Sequence, residues 1–280
     1  DLEENSSLLE RPLSELALDY EAKRSSMTAS EIHTKMEELV QIFRNSIDTG
    51  LSGTNYSDRI LGAQSPEYNQ RRLSGQLLPD GPMSKMTSYI MAIMESKSAM
   101  EVIVAAPTAG SAGGLPGTLI AMAEELEADQ NKLINAFLAA GLIGVFISAD
   151  ATFAAEVAGC QAETGVGAAM AAAGLIELSG GTAQQALGAA SIALQNIMGL
   201  ICDPVGNRVE IPCLGRNVQS GANALTAANM ILGGVDPVIP LSESIKTMLD
   251  VGNSLPRELR CTALGGLAIT KAAKEIEAKL

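Results

Sequence analysis

The chain has 280 residues, 47% of them hydrophobic but only 3% aromatic and none tryptophan, so a sizeable core must be filled by Ala, Leu, Ile, Val and Met. A formal net charge of −13 argues against a nucleic-acid partner, which needs Lys/Arg patches, and against adsorption to an anionic membrane surface. Four cysteines in so long a chain are too sparse for a disulfide scaffold. Together with the lack of a signal-peptide pattern at the start, they point to free thiols or metal ligands in a reducing cytoplasm.

In chain order, "TASEIHTKMEELVQIFRNSIDTGL" predicts a helix capped by Thr28 or Ser30, with Glu31 in its first turn and Gly50 at its end. Ile32, Met36, Leu39, Ile42 and Phe43 recur on it at helical spacing. Residues 51–82 read as loop, and a helix follows from about Ser84 to Ala99. The stretch 102–128 enters a Gly-rich turn from a short apolar run and leaves as a helix. From 131 to about 200 the chain is Ala-rich and helical, with breaks at 148–151, at Gly159–Cys160 and at 178–182. Leu133–Ile147 is apolar but shorter than the roughly 20 residues of a membrane span, so it reads as a buried core helix. Helices capped near Thr182 and Ser242, a helix over "SGANALTAANMILGG" and a mostly helical tail complete the pass. No alternating strand pattern and no internal repeat appears. The expected fold is mainly α, a compact helical domain with Ala/Gly-rich central helices. Residues 1–82 form an N-terminal helix and loop-rich segment, continuous with a helical domain over 83–280.

Cys160, Cys202 and Cys213 carry the chemical question. They are separated by 41 and 10 residues, which is neither a CxxC redox motif nor the close ligand pairs of a structural zinc site. Buried filler is the ordinary alternative for any one cysteine. Their setting counts against it, since Cys202 and Cys213 flank a loop broken by Pro204, Gly206 and Pro212, and Cys160 follows Gly159. Soft thiolates on irregular backbone suit an iron–sulfur cluster. Three of them on a four-iron cluster would leave one iron open as a Lewis acid.

"AAPTAGSAGGLPGTL", "AGCQAETGVGAAMAAAGL", "GLICDPVGNRVEIPCLGRN" and "LPRELRCTALGGLAIT" together resemble the α chain, or α domain, of the iron–sulfur-dependent L-serine dehydratases. The likeness runs from about residue 70 to 270. It implies a [4Fe-4S] cluster on Cys160, Cys202 and Cys213, with L-serine bound at the unique iron and converted to pyruvate and ammonia by way of an enamine. It also implies a partner, because the family's Ser-Ser-Ser-His-Thr motif belongs to a β portion and is absent here. The general base is expected on that portion, not on His33, which reads as a solvated helix residue. Lys85 and Lys97 are local candidates only if desolvated.

"PTAGSAGG" is the candidate substrate dock. Gly110, Gly113 and Gly114 let backbone N–H groups converge before a helix, and Thr108 and Ser111 add hydroxyls, an arrangement suited to a carboxylate. No Gly-Lys-Ser/Thr follows, so it is no nucleotide loop. Asn217 is expected to hold the loop or the substrate. Arg216 either pairs with a carboxylate or is exposed, Glu163 either orients a ligand or a substrate amine or is a solvated or capping carboxylate, and Asp203 reads as a turn former. Cys261 stands where the family more often has an acidic residue; it is either a fourth ligand covering the open iron or a neutral packing thiol. The rival functions are an L-cysteine desulfidase of the same mechanism, a non-catalytic iron–sulfur protein and a cluster-free scaffold.

Overall fold

The computed structural model describes residue 3 and residues 5–280. Thirteen α-helices appear among them in the order α1 (Ser6–Leu9), α2 (Leu13–Ser25), α3 (Ala29–Ser52), α4 (Ser65–Leu73), α5 (Met83–Ser98), α6 (Gly114–Glu125), α7 (Gln130–Asp150), α8 (Ala155–Ala158), α9 (Thr164–Leu178), α10 (Ala183–Gln195), α11 (Cys213–Leu232), α12 (Leu241–Ser254) and α13 (Lys271–Glu277). There is no strand among the described residues, only an isolated bridge between Cys202 and Arg260. The mainly α expectation holds.

The organising element is α9, "TGVGAAMAAAGLIEL". Every residue of it except Glu177 is buried, so it has no polar stripe and must be covered on all sides. The covering comes from α6, α7, α10 and α11. Its small side chains set how close they come: a Cβ on Gly174 would stand 2.8 Å from Leu119 on α6 and 3.0 Å from the carbonyl oxygen of Ala136 on α7. α7 is long and apolar enough by composition to cross a membrane, but 61% of that apolar window is buried within the chain, as a core helix requires. α3 and α5 pack beside this centre, and Phe43 of α3 stacks on Phe137 of α7 with ring centroids 5.1 Å apart.

Several boundaries differ from the sequence reading. Thr28 is the cap of α3, in a reciprocal box with Glu31, but Gly50 lies inside the helix against Ala92 and the helix runs to Ser52. Residues 51–82 contain α4, whose sequence SPEYNQRRL shows no apolar stripe. It is held instead by Ser65, whose N–H and hydroxyl donate to the buried Glu95 carboxylate at 2.9 and 2.7 Å. Thr182 caps α10 as expected, but Ser242 sits inside the first turn of α12 and donates its hydroxyl to Glu3. α11 starts at Cys213, so that cysteine is on a helix rather than on the loop. The tail is helical only over Lys271–Glu277, preceded by a 3-10 turn at Gly266–Ile269.

Candidate active site

Three segments converge at one end of α9. Cys160 opens the 3-10 turn Cys160–Ala162 that leads into α9, and its sulfur lies 3.4 Å from Thr164 Oγ1. Cys202 lies on the irregular stretch after α10, and Cys213 begins α11. All three are buried free thiols; Cys261 is a half-buried fourth. Residues 259–261 fold back onto Cys202: its N–H donates to Leu259 O and its carbonyl accepts from Cys261 N–H, both at 2.8 Å. Cys261 holds a left-handed backbone (φ 58), uncommon for a residue with a side chain.

The thiols are electrostatically linked. Cys202 packs against Cys160 with Cys261 beside them, and sharing of its single thiol proton with these neighbours drives its own pKa up and lowers theirs. Cys213 is pushed up to about 12, first by burial and next by the charge of Cys160, with Lys97 and Arg216 opposing. Among the described residues no three His, Cys, Asp or Glu side chains close at the spacing of a single metal ion. The donor set is nevertheless all sulfur and unlinked by disulfides, which is the chemistry of an iron–sulfur cluster rather than of an oxygen-loving cation.

Residues around the cysteines hold the segments in place. The buried Gln161, which the sequence reading passed over, donates its Nε2 to Ala158 O (2.9 Å) and Met248 O (3.1 Å) and accepts from Gly199 N–H at 2.8 Å. It thereby clamps α8, α12 and the Cys202 segment together; its only sequence signal was a Gln beside Cys160 in an otherwise apolar run. Asp203 is no turn former. It is buried, pairs with Arg216 at 2.7 Å and accepts from Leu267 N–H at 2.6 Å. Arg216 takes the carboxylate-pairing alternative, and it also donates to Ile201 O at 3.0 Å.

The Gly-rich turn lies against the same site but is not open as expected. Gly113 and Gly114 N–H both donate to Asn217 Oδ1, at 3.2 and 3.1 Å. Asn217 Nδ2 donates to Gly110 O and Cys213 O, each at 2.9 Å. An N–H already committed to a buried acceptor is not available to a ligand, so Asn217 holds the loop, the first of its two anticipated roles. Thr108 caps the turn through Ser111 and donates to Glu163 Oε1 at 2.6 Å. That carboxylate fills the space beside Gly110, where a Cβ would come within 2.6 Å of it.

His33 lies on α3 and makes no hydrogen bond to the cysteine segments among the described residues. Lys85 is bound to Glu124 at 3.0 Å. Lys97 is different: half-buried at the end of α5, it donates to Val209 O at 2.5 Å, and burial lowers its pKa while Cys213, Glu210 and Glu163 oppose that shift.

A helical chain that gathers free thiols on three converging segments is a scaffold for thiolate chemistry, and comparison with known proteins specifies it. The family described as Serine dehydratase alpha chain matches residues 9–268, and the chain belongs to that family of lyases. It is 35% identical over 268 residues to the probable L-serine dehydratase α chain of Bacillus subtilis (strain 168), covering 96% of this chain and 89% of the relative. It is 37% identical over 263 residues to the L-serine dehydratase α chain of Peptoniphilus asaccharolyticus, covering 94% and 90%. Against L-serine dehydratase 1 of Escherichia coli (strain K12) the identity is 33% over 264 residues, 92% of this chain but 58% of the longer relative.

Proposed function

We propose that this chain is the α component of a [4Fe-4S]-dependent L-serine dehydratase, converting L-serine to pyruvate and ammonia in the cytoplasm. The observation that supports it is the packing of the buried free thiols Cys160 and Cys202 against one another with Cys261 beside them, and Cys213 tied through Asn217 to the neighbouring Gly-rich turn, in a chain of this family. Cys160, Cys202 and Cys213 would hold the cluster, which when bound supplies a Lewis-acidic iron to help the substrate hydroxyl leave. Cys261 would be a fourth thiol available to the cluster.

The chain's own residues shape and orient. Thr108, Gly110, Ser111 and Gly113 wall the substrate site, and Asn217 keeps that wall against Cys213. Arg216 and Asp203 fix the Cys202 segment. The base that removes the Cα proton lies on the β portion. Relatives named α chain match this chain nearly end to end, whereas it spans 58% of the longer Escherichia coli protein, room enough for a further portion on the same chain there.

The test is iron and acid-labile sulfide analysis after anaerobic purification, with about four of each expected per chain. A chain that stays iron-free after anaerobic reconstitution overturns the reading. The loaded chain alone should turn over serine poorly and gain rate when the β chain is added; full activity without it refutes that part. Greater pyruvate output from L-cysteine than from L-serine would assign the desulfidase instead. Cys261→Ser should change the cluster's absorption spectrum and its response to serine, and an unchanged spectrum with unchanged affinity removes the fourth-ligand role.

A further inference from the structure

Amino-acid chemistry demands two opposite charges in the protein, and the site holds such a pair without letting them meet. Glu163 enters no ion pair among the described residues; its only hydrogen-bond donor is the neutral Thr108 hydroxyl. It is largely buried, its charge acts on Cys160, Cys213 and Cys261, and the nearby Glu156 adds to the negative field. Lys97 likewise enters no ion pair among the described residues, and its ammonium rests on the neutral carbonyl of Val209. Val209 stands four residues before Cys213, and the ammonium lowers that thiol's pKa. Glu156 and Arg260 enter no ion pair among the described residues, whereas two other charged groups nearby are committed. Arg216 is bound to Asp203, and Glu210 accepts from the N–H groups of Ile60 and Leu61 at 3.1 and 2.9 Å. The backbone amides of the Gly-rich turn are committed to Asn217.

Two opposite charges, each bonded to a neutral partner, offset one another's desolvation only through their field and not by contact. A zwitterion placed between them would satisfy both. We propose that Glu163 and Lys97 are the poles that recognise the substrate's zwitterion, Glu163 taking the α-ammonium and Lys97 the α-carboxylate, with the side-chain hydroxyl left facing Cys160 and Cys213. This rests on the serine dehydratase reading and names the residues that read the substrate's backbone. Gly110 belongs to the same device, since any side chain there would push the Glu163 carboxylate away.

Half-substrates separate the poles. 3-Hydroxypropionate keeps the carboxylate and lacks the ammonium; ethanolamine keeps the ammonium and lacks the carboxylate. Neither can complete the reaction, so binding to the cluster-loaded complex with its β chain is read by calorimetry rather than by turnover. Glu163→Gln should weaken ethanolamine about tenfold or more and leave 3-hydroxypropionate within about twofold, the loss of one charge-assisted hydrogen bond. Lys97→Met should do the reverse, and Lys97→Arg should restore most of the 3-hydroxypropionate binding. Both variants weakening both ligands alike, or leaving both unchanged, overturns the proposal. So does loss of iron in both Glu163→Gln and the charge-conserving Glu163→Asp, which would make Glu163 a support of the cysteine site. A wild-type complex that does not act on serine would refute the parent reading instead, before any variant is compared.

Discussion

Asn217 uses every hydrogen-bonding position of its carboxamide: two lone pairs on Oδ1 serve Gly113 and Gly114, and two Nδ2 protons serve Gly110 and Cys213. One residue thus ties the Gly-rich turn to the first turn of α11 at the cysteine it carries. Asn217→Ala would leave two buried donors and two carbonyls short of a partner, each worth about 1–3 kcal/mol where water cannot reach. We expect a loss of roughly 3 kcal/mol or more in urea unfolding, together with weaker retention of iron. A variant with wild-type stability would mean that water replaces the carboxamide and that the turn is not buried. Glu163 and Lys97 show a different logic at the same scale, where charge is left without an ionic partner because a ligand is to supply it.

At the scale of elements, glycine position decides whether a helix can be enlarged. Gly174 lies where α9 meets α6 and α7, with a side chain and a backbone carbonyl both inside ordinary contact distance of an added Cβ. Gly174→Ala should therefore cost about 1–3 kcal/mol through overpacking. Gly141 on α7 has nothing within 4 Å of its added Cβ, so Gly141→Ala should stabilise by about 0.5–1 kcal/mol through helix propensity alone. Thermal melts of the two variants should move in opposite directions; a common direction would show that the α6–α7–α9 packing described here is wrong. Much of this level was legible in the chain. The Ala/Gly run of α9 and the caps at Thr28 and Thr182 announce helices without reference to tertiary contacts. α4 was not legible, because its helix depends on the carboxylate of Glu95, some thirty positions away.

For the whole molecule, Glu177 is the lone half-buried acid of α9, and it fastens α2 to the centre by accepting from Ser14 N–H at 3.1 Å and Ser14 Oγ at 2.5 Å. Burial raises its pKa above the ordinary 4.5 despite those bonds, which act in the opposite sense. The folded chain therefore binds this proton more tightly than the unfolded one. Its contribution to stability is fully present below 4.5 and is lost as the pH rises through the higher folded value. Glu177→Gln removes that titration, so the stability difference between wild type and variant should change in the variant's favour as pH rises across this window and then level off. A pH-independent difference would assign Glu177 an unshifted pKa.

Composition, helical periodicity and the thiol-bearing motifs determined a mainly α chain of this family and singled out three of its four cysteines, because propensity, capping and motif are properties of neighbouring residues. Only the tertiary structure decided which groups meet: Cys261 against Cys202, Arg216 on Asp203, Asn217 across the amides of Gly113 and Gly114, and Gln161 as the clamp of the Cys160 turn. Those contacts join positions separated by tens of residues. Burial then sets their strength, and neither distance nor burial is written in the local sequence.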